Sequence, residues 1–326
     1  MGSPDISILF SEKKPAWTAW FGIAIFPPGS PLRWAKVHLF KWKGGSGYPL
    51  AALEGFEDRT EAMLAVGWTD RVEYFKAFVP GGDLRVTGSQ ITFGDVFQLN
   101  KTDARTCRMA VRVPGEDARA VFTFEPGWPV RWAQGGPVIS YTGFHSRVSV
   151  VLNVEGEEFQ LDGFGVLERV SGTKLPFDFL SILPGSFHWD VVVFEDDTLD
   201  SSAGLYLGTG GRSLLGFKGR AKLPGGKPVP MRRGIVKYIE MREEPLPGGD
   251  SVAFPLVWCS DMRAPHQRLT YTATACTPAA GLVPGGAMMG FDFEGEAERR
   301  GRSTAVKGWG FTEYGDFTGK LLGLTK

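Results

Sequence analysis

Apolar and polar positions alternate along most of this chain with a period of two. The run Arg33–Trp42 (RWAKVHLFKW) sets Trp34, Lys36, His38 and Phe40 on one face of an extended segment, and Ala35, Val37 and Leu39 on the other. The same alternation predicts strands over 72–79, 84–87, 91–99, 106–113, 118–124, 138–141, 147–154 and 158–167. After a break it resumes over 188–194, 204–207, 214–223, 234–242, 253–259, 269–275, 287–293 and 306–314. Turn residues stand between the runs: Pro80-Gly81-Gly82-Asp83, Pro114-Gly115-Glu116-Asp117, Pro224-Gly225-Gly226, Pro247-Gly248-Gly249 and Pro284-Gly285-Gly286. Short helical turns are expected only at 58–65 and 177–183. No sustained helical period and no β-α rhythm is present, so the expected class is all-β, with short antiparallel strands in barrels or sandwiches.

Composition supports this reading. Gly 44 and Pro 22 are high for 326 residues, and 13% are aromatic, the mixture expected of many strands joined by turns. Lys+Arg 36 balance Asp+Glu 36, so the basic excess of a nucleic-acid binder is absent and no nucleic-acid partner is expected. The apolar stretch Trp20–Phe26 is far shorter than the ~20 residues of a membrane span. No basic segment followed by an apolar one marks a secretory leader at the N-terminus, and three widely spaced cysteines (Cys107, Cys259, Cys276) suit free thiols in a reducing compartment. A cytoplasmic location is expected.

Two segments repeat. Gly163-Phe164-Gly165-Val166-Leu167-Glu168 and Gly308-Trp309-Gly310-Phe311-Thr312-Glu313 both read Gly-aromatic-Gly-apolar-x-Glu, and 308 minus 163 is 145 residues. A fainter pair, Trp34-x-x-Val37 and Trp189-x-x-Val192, lies upstream of each. Together they predict a duplicated β domain, with units at 1–174 and 175–326. On a strand, glycines two apart share a face and admit close backbone approach, while the aromatic and the glutamate fall on the other face. Glu168 and Glu313 enter an interior and need partners if that face lines a barrel, or are ordinary surface carboxylates if it meets water.

These segments carry a resemblance. Gly163–Gly172 (GFGVLERVSG) resembles the Gly-x-Gly-Tyr-x-Glu/Asp-His-x-Trp-Gly motif of the carotenoid 1,2-hydratase superfamily, and Gly308–Phe317 (GWGFTEYGDF) is similar to its C-terminal Gly-x-Gly-Tyr-x-Glu-x-x-Gly-Tyr motif. Phe187-His188-Trp189-Asp190 is similar to the tryptophan-led strand that opens that family's second domain. The resemblance implies two lipocalin-like β domains in tandem and an apolar small molecule handled inside a β cavity. Relatives it implies include carotenoid hydratases, tocopherol cyclase-like proteins, lipocalin-like Diels–Alderases and non-enzymatic lipid handlers. Arg169 and Ser171 replace the family's His and Trp. A hydratase needs an acid for the alkene and a base for water, so this departure shifts weight toward catalysis by shape, hydrogen bonding and proximity.

Candidate chemistry is sparse. His188 and Asp190, two apart on one strand, share a face and form a donor/acceptor pair for a substrate oxygen; a rim histidine beside a turn aspartate is the alternative. His145, next to a Tyr-Thr-Gly-Phe run, is a pocket candidate or a structural residue, while His38 and His266 read as structural. No histidine pair has metal spacing, no HExxH occurs, and no cysteine pair suits zinc, so no metal is expected. Gly163-x-Gly165 lacks the third glycine and helix of a dinucleotide fingerprint, and Ser171-Gly172-Thr173-Lys174 lacks the helix of an acylating serine site. No cofactor is expected.

The favoured expectation is a cofactor-independent enzyme on a hydrophobic polyene, terpenoid or polyketide. Its reaction would be cyclisation, including Diels–Alder-type ring closure, or hydration or dehydration of a carbon–carbon bond. Asp190, His188 and Glu168 are its catalytic candidates, and Trp34, Trp189, Trp309, Glu313 and His145 its substrate-binding candidates. A carrier for the same ligands, without chemistry, is the alternative, and a β interaction module the third reading.

Overall fold

A computed structural model describes residues 5–11, 17–42, 59–80, 84–134, 139–172, 186–195, 200–209, 212–245, 251–281 and 286–316. The chain divides into two compact units, one of residues 1–26, 34–66 and 73–178, the other of 27–33, 67–72 and 179–326. The expected boundary at 174/175 and the helical turn at 177–183 lie outside the described residues.

The first unit opens with a 3-10 turn at Ser7–Phe10. Its strands are β1 (Trp17–Ile25), β2 (Trp34–Trp42), β3 (Arg59–Gly67), β4 (Val72–Pro80), β5 (Leu84–Val86) and β6 (Gln90–Phe93), then β7 (Phe97–Lys101), β8 (Cys107–Val113), β9 (Ala118–Gln134), β10 (Ile139–Val154) and β11 (Glu157–Gly172). They form one sheet in the order β4-β3-β2-β1-β11-β10-β9-β8-β7-β6-β5, and the pairings recorded within it are antiparallel. The second unit holds β12 (Ser186–Phe194), β13 (Ser201–Thr209), β14 (Arg212–Lys222), β15 (Val229–Met231) and β16 (Arg233–Pro245). It continues with β17 (Ser251–Ala264), β18 (Gln267–Ala275), β19 (Ala280–Gly281), β20 (Gly286–Arg299) and β21 (Arg302–Asp316). Its order is β15-β14-β13-β12-β21-β20-β18-β17-β16, with β19 on β20.

Both sheets curl into half-barrels. A Cβ on Gly22 of β1 would lie 2.6 Å from Met109 Sδ of β8, although three strands separate β1 from β8 in the sheet. At ~4.8 Å per strand a flat sheet would hold them far apart, so the sheet closes on itself. In the second unit a Cβ on Gly204 of β13 would sit 3.1 Å from Met262 Sδ of β17, across four intervening strands. The interior there packs Val192, Phe194, Tyr206, Trp258, Met262, Tyr271, Phe291 and Phe293 into one core. The all-β, two-barrel class expected from the pattern is the observed one.

Several element expectations change. Of the segment 58–65, residues 59–65 lie in strand β3, not in a helical turn. Its Ala62, Met63, Leu64, Ala65 and Val66 are all buried, so burial of both faces overrides the helix propensity of Ala, Met and Leu. The run 91–99 breaks into β6 and β7 at Gly94, whose φ of 53° makes the turn. The described residues of the runs 138–141 and 147–154 belong to one strand, β10, paired to β9 through a bulge at His145/Ser146. Residues 20–25 of the Trp20–Phe26 stretch belong to β1, which is buried along nearly its whole length and so shows no alternation.

The register also sorts the repeat. β1 pairs the final strand β11 as β12 pairs the final strand β21, so Gly163, Gly165 and Glu168 occupy the places of Gly308, Gly310 and Glu313. The tryptophan pair does not match: Trp34 sits on the second strand of its unit and Trp189 on the first. Trp189 lies opposite Glu313 as Phe21 lies opposite Glu168, which makes Phe21 its counterpart.

Candidate functional site

The polar centre of the second unit is built from five strands. His188 and Asp190 project inward from β12, each only 1% exposed, and His188 Nε2 lies 2.6 Å from Asp190 Oδ1. Register places Tyr206 and Tyr314 on either side of His188, and Gly204 and Thr312 on either side of Asp190. Curling brings β17 and β18 over them. Tyr271 donates its hydroxyl to Asp190 Oδ2 at 2.7 Å, Trp258 its indole N–H at 3.0 Å, and Ser260 lies at 3.5 Å. Oδ2 is thus ringed by donors in a buried site, where such bonds are strongest, while Oδ1 meets the His188 imidazole without a well-aligned hydrogen bond.

Charge in this cluster is set by burial and by partners. Burial alone would raise the Asp190 pKa. The attraction of His188, its bond, and bonds from Tyr271 and Thr312 outweigh it and hold the carboxyl below its ordinary 3.8. Burial pushes the Tyr206 and Tyr271 hydroxyls well above 10.0, with the Asp190 charge adding to the shift. Both stay protonated, and Tyr271 donates to Asp190. Asp190 is therefore held in its ionised form.

The other imidazole nitrogen is the free-handed one. His188 Nδ1 lies 3.4 Å from the Tyr238 hydroxyl, and Tyr238 is half-buried. Tyr238 stands at a register shift of β16 against β17, the kind of bulge that re-aims a side chain. Around it gathers a small apolar cluster of Phe254, Ala287, Met289 and Tyr314, with Leu256 packed alongside. His188 thus faces Asp190 with one nitrogen and an aromatic, partly exposed end of the unit with the other.

Of the predicted site residues, the structure brings His188 and Asp190 together. Trp189, Trp309 and Glu313 alternate with them and fall on the opposite face of the same sheet. Trp189 packs edge-on to Phe311 at 6.2 Å. Trp309 lines an outer concavity of about 380 Å³ with Thr272, Thr274 and Asp292.

Glu168, His145 and Trp34 belong to the first unit. Gly165 points inward, since a Cβ there would meet Val148 and Phe124, so Glu168 lies on the outer face, yet it is 5% exposed. Tyr141 donates its hydroxyl to Glu168 Oε1 at 2.5 Å. Gly143, paired opposite Glu168, leaves the space over which Tyr141 reaches. His145 stacks on Trp128 with centroids 4.0 Å apart, and Trp34 is fully buried.

Sequence reasoning missed Tyr206, Tyr238, Trp258, Ser260, Tyr271, Thr312 and Tyr314. Alternation within β17 and β18 does place Trp258 with Ser260, and Leu269 with Tyr271, on buried faces. Which of them meets Asp190 depends on the curl. Among the described residues, no group of three or more His, Cys, Asp or Glu could hold a metal ion, and no helix is long and apolar enough to cross a membrane.

No protein-family profile matches the sequence, and no curated protein does. Solved structures match across nearly the whole chain. An AttH-like protein from Nitrosomonas europaea has a TM-score of 0.67 at 13% identity, covering 96% of each chain. Kievitone hydratase from Nectria haematococca has a TM-score of 0.62 at 13% identity, covering 92% of this chain and 89% of its own. CghA has a TM-score of 0.55 at 15% identity, covering 97% and 93%, and its complex with Sch210972 also matches. At these identities the shared property is the fold: two lipocalin-like β units in tandem, the architecture that the sequence motifs resemble.

Proposed function

We propose that this protein is a cofactor-independent enzyme that acts on a hydrophobic polyene, terpenoid or polyketide-like small molecule, with its chemistry in the second unit at the His188–Asp190 pair. The carrying observation is the polarity of that pair. Asp190, held ionised by its contacts with His188, Tyr271 and Thr312, fixes His188 with Nε2–H toward the carboxylate and leaves Nδ1 for a substrate proton. Tyr238 hands that proton on toward the aromatic end, where Phe254, Leu256, Met289 and Tyr314 offer an apolar bed.

Two reactions suit this arrangement. In hydration, a proton passes to one carbon of a double bond, water adds to the other, and the proton lost by that water returns to the histidine. In ring closure, a donor from the same pair polarises a carbonyl conjugated with the reacting alkene while the apolar wall holds a near-attack pose. Likeness to a hydratase and to a protein crystallised with a small molecule supports this class. The Tyr141–Glu168 pair of the first unit remains a second polar group, while Trp189, Trp309 and Glu313 on the outer face, and Trp34 and His145 in the first unit, lie outside this site.

The test is native mass spectrometry of the purified protein with solvent extraction, followed by assays on any extracted compound and on kievitone. A bound apolar molecule, and a product differing by one water or by ring closure, support the proposal. An empty protein with no thermal shift across polyenes, terpenoids and fatty acids would reject it. Ligand binding without turnover would favour a carrier.

A further inference from the structure

A second candidate site lies at the tip of the β20–β21 hairpin and shares no residue with the His188–Asp190 cluster. Its turn is Arg300-Gly301, with φ of 52° and 77°. Both central residues of such a tight turn need positive φ, which Asn-Gly supplies best and a long side chain adopts at a cost. Arg299 and Arg302 face each other directly across the pair that closes it. Like charges so placed repel. Three guanidiniums therefore crowd one turn, all exposed, and none has a carboxylate partner among the described residues. Nearby acids are engaged elsewhere: Glu296 accepts from Ser303, Glu298 stands opposite Arg268 and attracts Arg263 and Arg268, Asp261 binds those same two arginines, and Asp200 pairs with Lys222.

The fold does not require arginine here. The equivalent turn of the first unit is Glu155-Gly156, with φ of 53° and 81°, and 300 minus 155 is 145, the offset of the glycine repeat. One backbone device thus carries opposite charge in the two units. The basic copy is also shaped. Arg299, Arg300 and Arg302 line a concavity of about 470 Å³ with Leu223, Pro224 and Ala297. Leu223 and Ala297 form a buried apolar floor. Arg299 donates to the Gly225 carbonyl, and Gly225 N–H donates to Asp200 Oδ2 at 3.2 Å, so one wall is pinned. Arg300 N–H is tied to the His266 carbonyl at 2.8 Å.

We propose that this concavity is an anion site that takes a phosphate or diphosphate group carried on a small apolar body. The guanidiniums bind the oxyanion, whose charge relieves their repulsion, and Leu223, Pro224 and Ala297 meet the attached hydrocarbon. A free organic phosphate and a phospholipid headgroup offer the same chemistry.

The test is calorimetric titration of the full chain with sodium pyrophosphate, together with co-sedimentation on phosphatidic acid/phosphatidylcholine vesicles. The variant Arg300→Asn/Arg302→Thr installs the favoured Asn-Gly turn and removes two charges, so it folds at least as stably; Arg119→Ser, an exposed change in the first unit, is the control. Pyrophosphate binding weakened at least ten-fold in the double variant and unchanged in the control supports a soluble phosphate. Vesicle binding alone, lost in the double variant, supports the headgroup. Binding to neither probe, equal binding by the double variant, or arginine-dependent capture of an RNA oligonucleotide alone would overturn the site.

Discussion

Replacing Asp190 with asparagine keeps the side chain's shape and turns one of its two acceptor oxygens into a donor. Oδ2 accepts from Tyr271 and Trp258, at 2.7 and 3.0 Å, so the amide oxygen must take that side and the NH2 must face His188 Nε2. Nε2 then gives up its hydrogen and the tautomer reverses, leaving Nδ1–H toward Tyr238. Losing the charge-assisted bonds to this buried carboxylate costs ~1.5–3 kcal/mol. For a unit of this size that is a Tm loss of about 5–10 °C. Turnover should fall by about two to four orders of magnitude, as expected when a His–Asp pair holds the wrong tautomer. The pH dependence has a definite sign. The folded carboxyl titrates below its ordinary 3.8, so its contribution is fully present above that value and is lost as pH falls through the lower folded value. The gap between wild type and variant should be constant from pH 7 to about pH 4 and close below. Thermal unfolding, with hydrogen exchange on β12, β17 and β18 peptides, reads both. A variant within about 0.5 kcal/mol of wild type at pH 7, or a gap undiminished at pH 3, would refute the reasoning.

Other predictions follow from the packing. Gly308→Ala and Gly310→Ala drive a methyl into the carbonyls of Val193 and Val191 and should destabilise the second unit by at least ~2 kcal/mol in urea titrations, whereas Gly301→Ala meets no atoms and suffers only its positive φ. The Cys107 thiol is buried and pushed up to about 12, so iodoacetamide at pH 8 should spare it in the native protein and modify it in urea, read by peptide mass. Burial lowers His38 below its ordinary 6.5 despite Glu61. Its unfolded form therefore takes up a proton first, and stability of the first unit should fall as pH drops below about 6.5, a dependence that His38→Gln flattens in Tm-versus-pH curves. Glu168→Gln loses the charged acceptor of Tyr141 and should cost roughly 1–3 kcal/mol by denaturant titration.

Local chemistry made much of the fold legible. Pro114-Gly115 and Pro224-Gly225 mark real turns, with Gly115 and Gly225 at φ of 83° and 64°, and clean alternation marks strands with one wet face, such as β8 and β18. β1 and β3 escaped because both their faces are buried, which erases the period. The His188–Asp190 pair was legible because two residues of one strand must share a face. Its shell was not, since Trp258 and Tyr271 reach Asp190 from 68 and 81 residues away through a curl that no local pattern encodes. Membership of the repeated strands does not decide which way the tryptophans point. Trp189 and Trp309 sit beside the interior residues in sequence and therefore point out of the barrel.

The most direct test of the account is turnover and ligand affinity measured side by side in wild type and His188→Gln, on the compound extracted from the protein or on kievitone. Glutamine keeps a hydrogen bond to Asp190 within the same shell but cannot carry a proton between substrate and solvent. The account predicts turnover down at least a hundred-fold with Kd within about three-fold. Undiminished turnover in His188→Gln would contradict it.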